Sequence, residues 1–170
     1  MKSAISVLAL VSFVAAMPAQ RATTPVYLIH PHGDKTKCVG VTGGAFVQGA
    51  VVDIYDCNGS TTQKWYGSSP RMANPADGSE WALDIANSTP TNGLAAVLNH
   101  SGDGGEDGSP TQSWSGFQGP DVPEIRLSLS TDKTFCLDLT NGSEASRNPL
   151  QIWECFAGNT NQKWTYEVLA

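Results

Sequence analysis

The fold is decided by three tripeptides of the same form, Gln63-Lys64-Trp65, Gln112-Ser113-Trp114 and Gln162-Lys163-Trp164. Each follows the pattern Gln-x-Trp, and the tryptophans stand 49 and 50 residues apart (114 − 65 and 164 − 114). One such tripeptide carries no information, but three at near-constant spacing indicate an internal repeat. We therefore expect three equivalent units, at about residues 25–70, 71–120 and 121–168.

The sequence before each tripeptide also repeats. The first unit has 37–41 (KCVGV) and 51–57 (VVDIYDC), the third has 135–139 (FCLDL) and 149–155 (PLQIWEC), and the middle unit has 83–85 (LDI) and 96–99 (AVLN). These pieces are short and alternating, with Gly, Asn, Ser and Pro between them, which predicts an all-β fold. Three units that cannot bury an apolar face alone must pack around a common axis. The tryptophans of the tripeptides, Trp65, Trp114 and Trp164, are then expected in the core.

Four cysteines occupy matching places in the first and third units. Cys38 and Cys57 are 19 residues apart, and so are Cys136 and Cys155. Four cysteines allow three pairings, and the equal spacing favours disulfides 38–57 and 136–155. A zinc site is the alternative, but it would need close Cys-x-x-Cys pairs, which the chain lacks. We expect no metal and no cofactor.

The first 19 residues read as a secretory signal peptide. Lys2 precedes an almost wholly apolar or small stretch at 4–16, and small residues allow a cut after about residue 16 or 19. The stretch is shorter than the roughly 20 residues that span a membrane, and a buried N-terminal helix is the alternative. The sequence therefore predicts a secreted, extracellular protein without membrane insertion.

Charge and composition narrow the class of partner. The formal net charge is −6, and binders of nucleic acid or anionic membranes need clustered Lys and Arg. A hydrophobic fraction of 40% and five tryptophans exclude a disordered chain. We expect a folded protein that binds no nucleic acid, and the oligomeric state stays open.

These repeats resemble the ricin B-type lectin family, which has a β-trefoil fold of three repeats that each end in Gln-x-Trp. The resemblance covers about residues 25–168 and is most specific in the third unit, at 136–138 (CLD), 150–155 (LQIWEC) and 161–164 (NQKW). A leader followed by a lone module resembles secreted fungal members. The resemblance implies a carbohydrate-binding protein whose partners are glycans or glycoproteins, with galactose or N-acetylgalactosamine types ranked first.

The third unit carries the residues for a sugar site. A sugar needs an aromatic plate for its C–H face and fixed polar groups for its hydroxyls. Strand alternation places Gln151 and Trp153 on one face, away from the core. The resemblance implies that Asp138, Trp153 and Asn161 contact sugar, with Gln151 and Gln162 as contact or support. A core role for Trp153 and a turn role for Asp138 are the alternatives.

The other two units depart from this pattern. In the first unit Gly40 and Thr62 replace the aspartate and the asparagine, so Asp53, Tyr55 and Gln63 make only a possible weaker site.

The middle unit keeps Asp84 and Gln112. However, Asn99 replaces its aromatic, Val97 replaces the polar neighbour and Thr111 replaces the asparagine. His100 is expected on the core side. This unit is the least suited of the three to hold a sugar.

Other functions have less support in the sequence. The carboxylates Asp103, Glu106 and Asp107 lie in a Gly-rich loop rather than the rigid setting that glycoside cleavage needs, so we expect no enzyme. The main alternative is a β-trefoil protease inhibitor or a protein-interaction module without a sugar site, because fold does not imply function. Four asparagines stand in glycosylation sequons: Asn58, Asn87, Asn99 and Asn141.

Overall fold

The computed structural model describes residues 24–102, 109–116, 128–129, 132 and 134–169. The predicted signal peptide and the acidic carboxylates Asp103, Glu106 and Asp107 lie outside these residues. In the described part the regular structure consists of β-strands and 3₁₀ turns. The strands are β1 (Val26–Pro31), β2 (Lys37–Val41), β3 (Ala50–Asp56), β4 (Trp65–Tyr66), β5 (Arg71–Ala73), β6 (Glu80–Ile85), β7 (Leu94–His100), β8 (Trp114–Ser115), β9 (Ser128–Leu129), β10 (Phe135–Leu139), β11 (Asn148–Glu154) and β12 (Trp164–Val168).

The strands form three groups of four: β1–β4, β5–β8 and β9–β12. In each group the second and third strands form an antiparallel hairpin, β2–β3, β6–β7 or β10–β11. The three hairpins join in a triangle, because β3 pairs with β7, β7 with β11 and β11 with β3. The short outer strands close the other end, where β1 pairs with both β4 and β12. This threefold arrangement is a β-trefoil, and it confirms the predicted all-β fold.

The tryptophans of the three tripeptides lie in the core, as predicted. Trp65 and Trp164 are fully buried and Trp114 is nearly so. Each indole Nε1 donates to a backbone carbonyl in its own unit: Trp65 to Val39 (2.9 Å), Trp114 to Leu83 (2.9 Å) and Trp164 to Leu137 (3.1 Å). A buried indole N–H needs such a partner, so the tryptophan fixes where the hairpin meets the outer strands.

Disulfides join Cys38 to Cys57 and Cys136 to Cys155, as the spacing predicted. Each ties the second strand of a unit to the residues just after the third strand. The middle unit has Ala82 and Ser101 at the equivalent places. The backbone hydrogen bond at this place is the same in all three units. The N–H of Ser101 donates to the carbonyl of Glu80, just as the N–H of Cys57 donates to Thr36 and that of Cys155 to Thr134. The same local fold therefore forms with and without the covalent link.

Among the described residues, no helix is long and apolar enough to cross a membrane.

Candidate functional site

The face of β11 that points away from the core carries the predicted aromatic plate. Leu150 and Ile152 are fully buried, and Gln151 and Trp153 alternate with them on the other side. Trp153 is 38% exposed, so the alternative of a core tryptophan is wrong. Tryptophan is enriched at binding surfaces, because it combines a large apolar ring with a polar N–H.

Asp138 lies directly opposite Gln151 in the β10–β11 ladder. Gln151 Nε2 donates to Asp138 Oδ1 at 3.0 Å, and Asn159 Nδ2 donates to Oδ2 at 3.4 Å. The carboxyl group is largely buried, and this burial raises its pKa against the opposing effect of hydrogen bonds from Gln151, Gln162 and Asn159. Two oxygens of a carboxylate offer about four acceptor positions, so the bonds from these three side chains leave capacity for a ligand hydroxyl.

Gln162 supports the site from beneath. Its side chain is fully buried; Nε2 donates to the Glu154 carbonyl at 2.8 Å and Oε1 accepts from Phe156 N–H at 3.0 Å. Gln63 and Gln112 make the same pair of bonds in their own units. The glutamine of each tripeptide therefore holds the turn after the third strand. The sequence left two roles open for Gln162, sugar contact or support, and its bonds in the structure are those of a supporting residue.

A cleft of about 220 Å³ brings the predicted residues together. Its lining consists of Asp138, Asn141, Gln151, Trp153, Phe156, Asn159 and Asn161. We call it the third-repeat cleft. The predicted direct contacts Asp138, Trp153 and Asn161 all line it, and Gln162 does not. Phe156, which is 51% exposed, adds a second aromatic surface.

Sequence reasoning missed Phe156, Asn159 and, as a lining residue, Asn141. Asn159 rather than Asn161 bonds the aspartate, and its Oδ1 also accepts from Asn161 N–H at 3.1 Å. Asn161 instead lies over Gly142, where an added Cβ would come within 2.8 Å of its Oδ1. The only available signal for Asn159 was its Asn-x-Asn spacing, which is also typical of a turn.

The first unit forms a second opening of about 270 Å³, the first-repeat cleft. It is lined by Gly40, Val41, Gly43, Gly44, Asp53, Tyr55, Asn58, Ser60, Thr62, Gln63 and Arg147. The three residues predicted for a weaker site, Asp53, Tyr55 and Gln63, all border it. Asp53 is almost fully buried, accepts from Thr42 Oγ1 at 2.7 Å and has a pKa raised chiefly by burial. Gln63 is buried and holds the turn, so it supports the cleft.

A family model for the ricin-type β-trefoil lectin domain matches residues 25–164. The chain belongs to the ricin-type β-trefoil lectin family.

Solved structures of lectins share the fold at low identity. The ricin B-like lectin of Macrolepiota procera, solved with lactose, is 20% identical, with 88% of this chain and 99% of that chain covered and a TM-score of 0.59. The C-half of an earthworm R-type lectin, solved with GalNAc, is 14% identical, with 85% and 99% covered and a TM-score of 0.61. No curated protein sequence matches the chain.

An exo-β-1,3-galactanase from Clostridium thermocellum is 23% identical with a TM-score of 0.67. The match covers 86% of this chain and 30% of the galactanase, so this chain corresponds to under a third of that protein.

The middle unit of this lectin-family chain uses its aspartate internally. Asp84 Oδ1 accepts from Ile85 N–H, and Oδ2 accepts from both Asn99 Nδ2 and Gln112 Nε2. His100 was expected on the core side; it stacks on Trp81, with 3.8 Å between ring centroids, but stays exposed. Asp84 therefore serves the fold of its unit, which fits the low ranking of this unit as a site.

Metal ligation has one candidate in the described part of the chain. His30, Cys38 and Cys57 lie close enough together to share an ion. The two sulfurs are bonded to each other, so they are not thiolate ligands.

Proposed function

We propose that this chain is a secreted lectin that binds galactose- or N-acetylgalactosamine-type glycans through the third-repeat cleft. One observation carries the proposal: the exposed Trp153 and the hydrogen-bonded carboxylate of Asp138 border the same small cleft. A hexose presents C–H bonds on one face and hydroxyls at its rim, and these two groups match those two surfaces. Family membership supports carbohydrate as the ligand class.

The sugar type rests on the relatives. The Macrolepiota procera lectin was solved with lactose and the earthworm lectin with GalNAc. Both ligands are galactose-type sugars, and this supports ranking such glycans first. Phe156 beside Trp153 offers room for a second aromatic contact with a neighbouring residue of a longer glycan.

The size of the cleft sets the expected affinity. Its volume of about 220 Å³ suits a single sugar ring rather than a drug-sized ligand. A monosaccharide of about 12 heavy atoms at about −0.3 kcal/mol per atom gives about −3.6 kcal/mol, which is millimolar binding. Useful binding to a cell surface or matrix therefore requires a longer glycan or several sites.

A glycan array tests the proposal. The mature protein is screened beside Asp138→Asn, which keeps the side-chain shape but removes the charge. We expect the wild type to bind galactose-terminated glycans and the variant not to bind them. Asp56→Asn is the matched control, because Asp56 is exposed and pairs with Lys37 outside the third-repeat cleft.

A folded wild type that binds no glycan on the array and no galactoside in a titration to millimolar concentration would overturn the proposal. The protease-inhibitor or protein-interaction function would then come first. Trp153→Ala separates these classes, since it is expected to abolish glycan binding and to leave inhibition of a protease unchanged.

A further inference from the structure

The first-repeat cleft is not a weakened copy of the third-repeat cleft, because its charges are arranged differently. In the third repeat the carboxylate of Asp138 stands on β10, opposite Gln151 on β11. In the first repeat the order is reversed, with Gly40 on β2 opposite Asp53 on β3. Gly40 has no side chain to take the place of the Asp138 carboxylate, and an added Cβ would come within 3.0 Å of Gln63 Cγ, so a larger residue does not fit there without a shift of its neighbours.

The first-repeat cleft also contains a cation that the third-repeat cleft lacks. Arg147 comes from the third repeat and reaches the first through strand pairing. Its N–H donates to the carbonyl of Ile54 at 2.7 Å, between the cleft residues Asp53 and Tyr55. The next residue, Asn148, pairs with Ile54 in the β3–β11 ladder. The main chain therefore fixes Arg147 at the rim of the cleft.

The threefold symmetry of the fold shows that arginine is unusual at this place. Gly49 and Gly93 make the equivalent bonds, to the carbonyls of Leu98 and Ile152. All three residues have a positive φ, of 77°, 83° and 71° for positions 49, 93 and 147. Glycine adopts this conformation freely, whereas another L-residue loses about 1–2 kcal/mol. The arginine is thus held in a backbone conformation that glycine adopts at lower cost.

The guanidinium of Arg147 is available to a ligand. The residue is exposed, and its side chain makes no hydrogen bond or ion pair with any residue that the structure describes. Its charge acts on Asp53 only at longer range. At the equivalent Gly93, an added Cβ would lie 3.8 Å from Trp153 Cζ3 and 4.0 Å from Gln151 Oε1. By symmetry, the side chain of residue 147 begins beside the Tyr55–Asp53 pair.

We propose that the first-repeat cleft binds an acidic saccharide, with the carboxylate of a uronic acid paired to Arg147 and the ring against Tyr55. A planar guanidinium matches a carboxylate with two parallel hydrogen bonds, which are charge-assisted and therefore strong. Asp53 lies deeper in the cleft and accepts from ring hydroxyls, while Ser60 and Thr62 also line the cleft. The proposal rests on the chain being a glycan-binding protein, but it does not depend on the third-repeat cleft.

A titration followed by amide NMR shifts tests this site on the intact mature protein. The probes are the methyl glycosides of glucuronic and galacturonic acid, each beside its neutral parent, the methyl glycoside of glucose or galactose. We expect at least one uronic acid to shift residues around Tyr55 and Thr62 and to bind about tenfold or more tightly than its parent. Raising the salt concentration is expected to weaken this binding, because the contact is ionic.

The decisive variant is Arg147→Gly, which restores the residue found at positions 49 and 93. It is expected to fold at least as stably as the wild type and to lose the preference for the uronic acid. Lys35→Gln is the matched control, because Lys35 carries the same charge on an exposed side chain outside both clefts. This control is expected to keep the preference.

Three results would overturn the inference: equal affinity for acid and parent sugars, an unchanged preference in Arg147→Gly, or binding of a sulfated sugar but of neither uronic acid. The outcome is separable from the proposed function. A neutral galactoside that shifts residues around Trp153 tests the third-repeat cleft in the same spectra, and Arg147→Gly is expected to leave that response intact.

Discussion

Asp138 and Gln151 face each other across the β10–β11 ladder, and Gln151 Nε2 donates to Asp138 Oδ1 at 3.0 Å. The amide fixes the carboxylate without using all of its acceptor capacity. Asp84 stands at the equivalent place in the middle unit, but it accepts three hydrogen bonds from protein groups, one of them from the backbone N–H of Ile85. The aspartate at this position therefore lines a cleft in the third unit and stabilises the local fold in the middle unit.

Exchanging each aspartate for asparagine is expected to separate these two roles. Asp138→Asn should lower glycan affinity at least about tenfold, because a charge-assisted acceptor is lost. Asp84→Asn should leave glycan affinity unchanged and lower the free energy of unfolding by about 1–3 kcal/mol, since buried donors lose their acceptor. Glycan titration and urea unfolding of both variants measure the two effects. Equal loss of binding in both variants would contradict the assignment.

The pH dependence of binding should report the raised pKa of Asp138. Burial favours the protonated carboxyl in the folded chain, so sugar affinity should fall as the pH drops through a value above the ordinary 3.8. The stability linkage has the opposite sign: the contribution of this group is fully present below the unfolded pKa and is lost as the pH rises through the folded pKa. Glycan affinity measured during acidification, with circular dichroism to follow folding, checks this prediction. Unchanged affinity down to pH 3.8 in folded protein would contradict it.

The indole hydrogen bond of the core tryptophans should contribute measurably to stability. Trp164→Phe removes the donor to the Leu137 carbonyl and leaves that buried group unpaired. We expect the free energy of unfolding to fall by about 1–3 kcal/mol, in addition to the loss of packing. Trp153→Phe is the control, because Trp153 is partly exposed and contributes little to the core. A control as destabilised as Trp164→Phe would refute this division between core and cleft.

The repeats and the core could be predicted from sequence because they depend on local and periodic signals. The Gln-x-Trp spacing, the strand alternation around Leu150 and the matched cysteine pairs each carry their information within one unit. The supporting role of Gln162 was not decided, since burial depends on how the turn after β11 folds back. Arg147 could not be placed in the same cleft as Asp53, because strand pairing between different repeats brings the two residues together. The hydrogen bond from Asn159 to Asp138 was also not predicted, because it depends on how the loop after β11 folds back.

The middle unit should accept a third disulfide. Ala82 and Ser101 have the backbone bonding of the two natural pairs, so Ala82→Cys with Ser101→Cys is expected to form a bridge and leave no titratable thiol. In the chain-entropy model a loop of this length contributes about 3 kcal/mol as an upper value. Loss of the Arg71–Ser101 hydrogen bond offsets part of this gain. We expect a higher unfolding midpoint than that of the wild type when both proteins are oxidised; free thiols in the folded variant would contradict the equivalence of the units.

The most direct test of the central claim is a crystal structure of the protein with lactose. The proposed function predicts a galactose ring stacked on Trp153, with a ring hydroxyl within hydrogen-bonding distance of Asp138 and with Asn159 or Asn161 at the rim. A galactose ring bound elsewhere while the third-repeat cleft stays open, or no bound sugar at a saturating concentration, would contradict it.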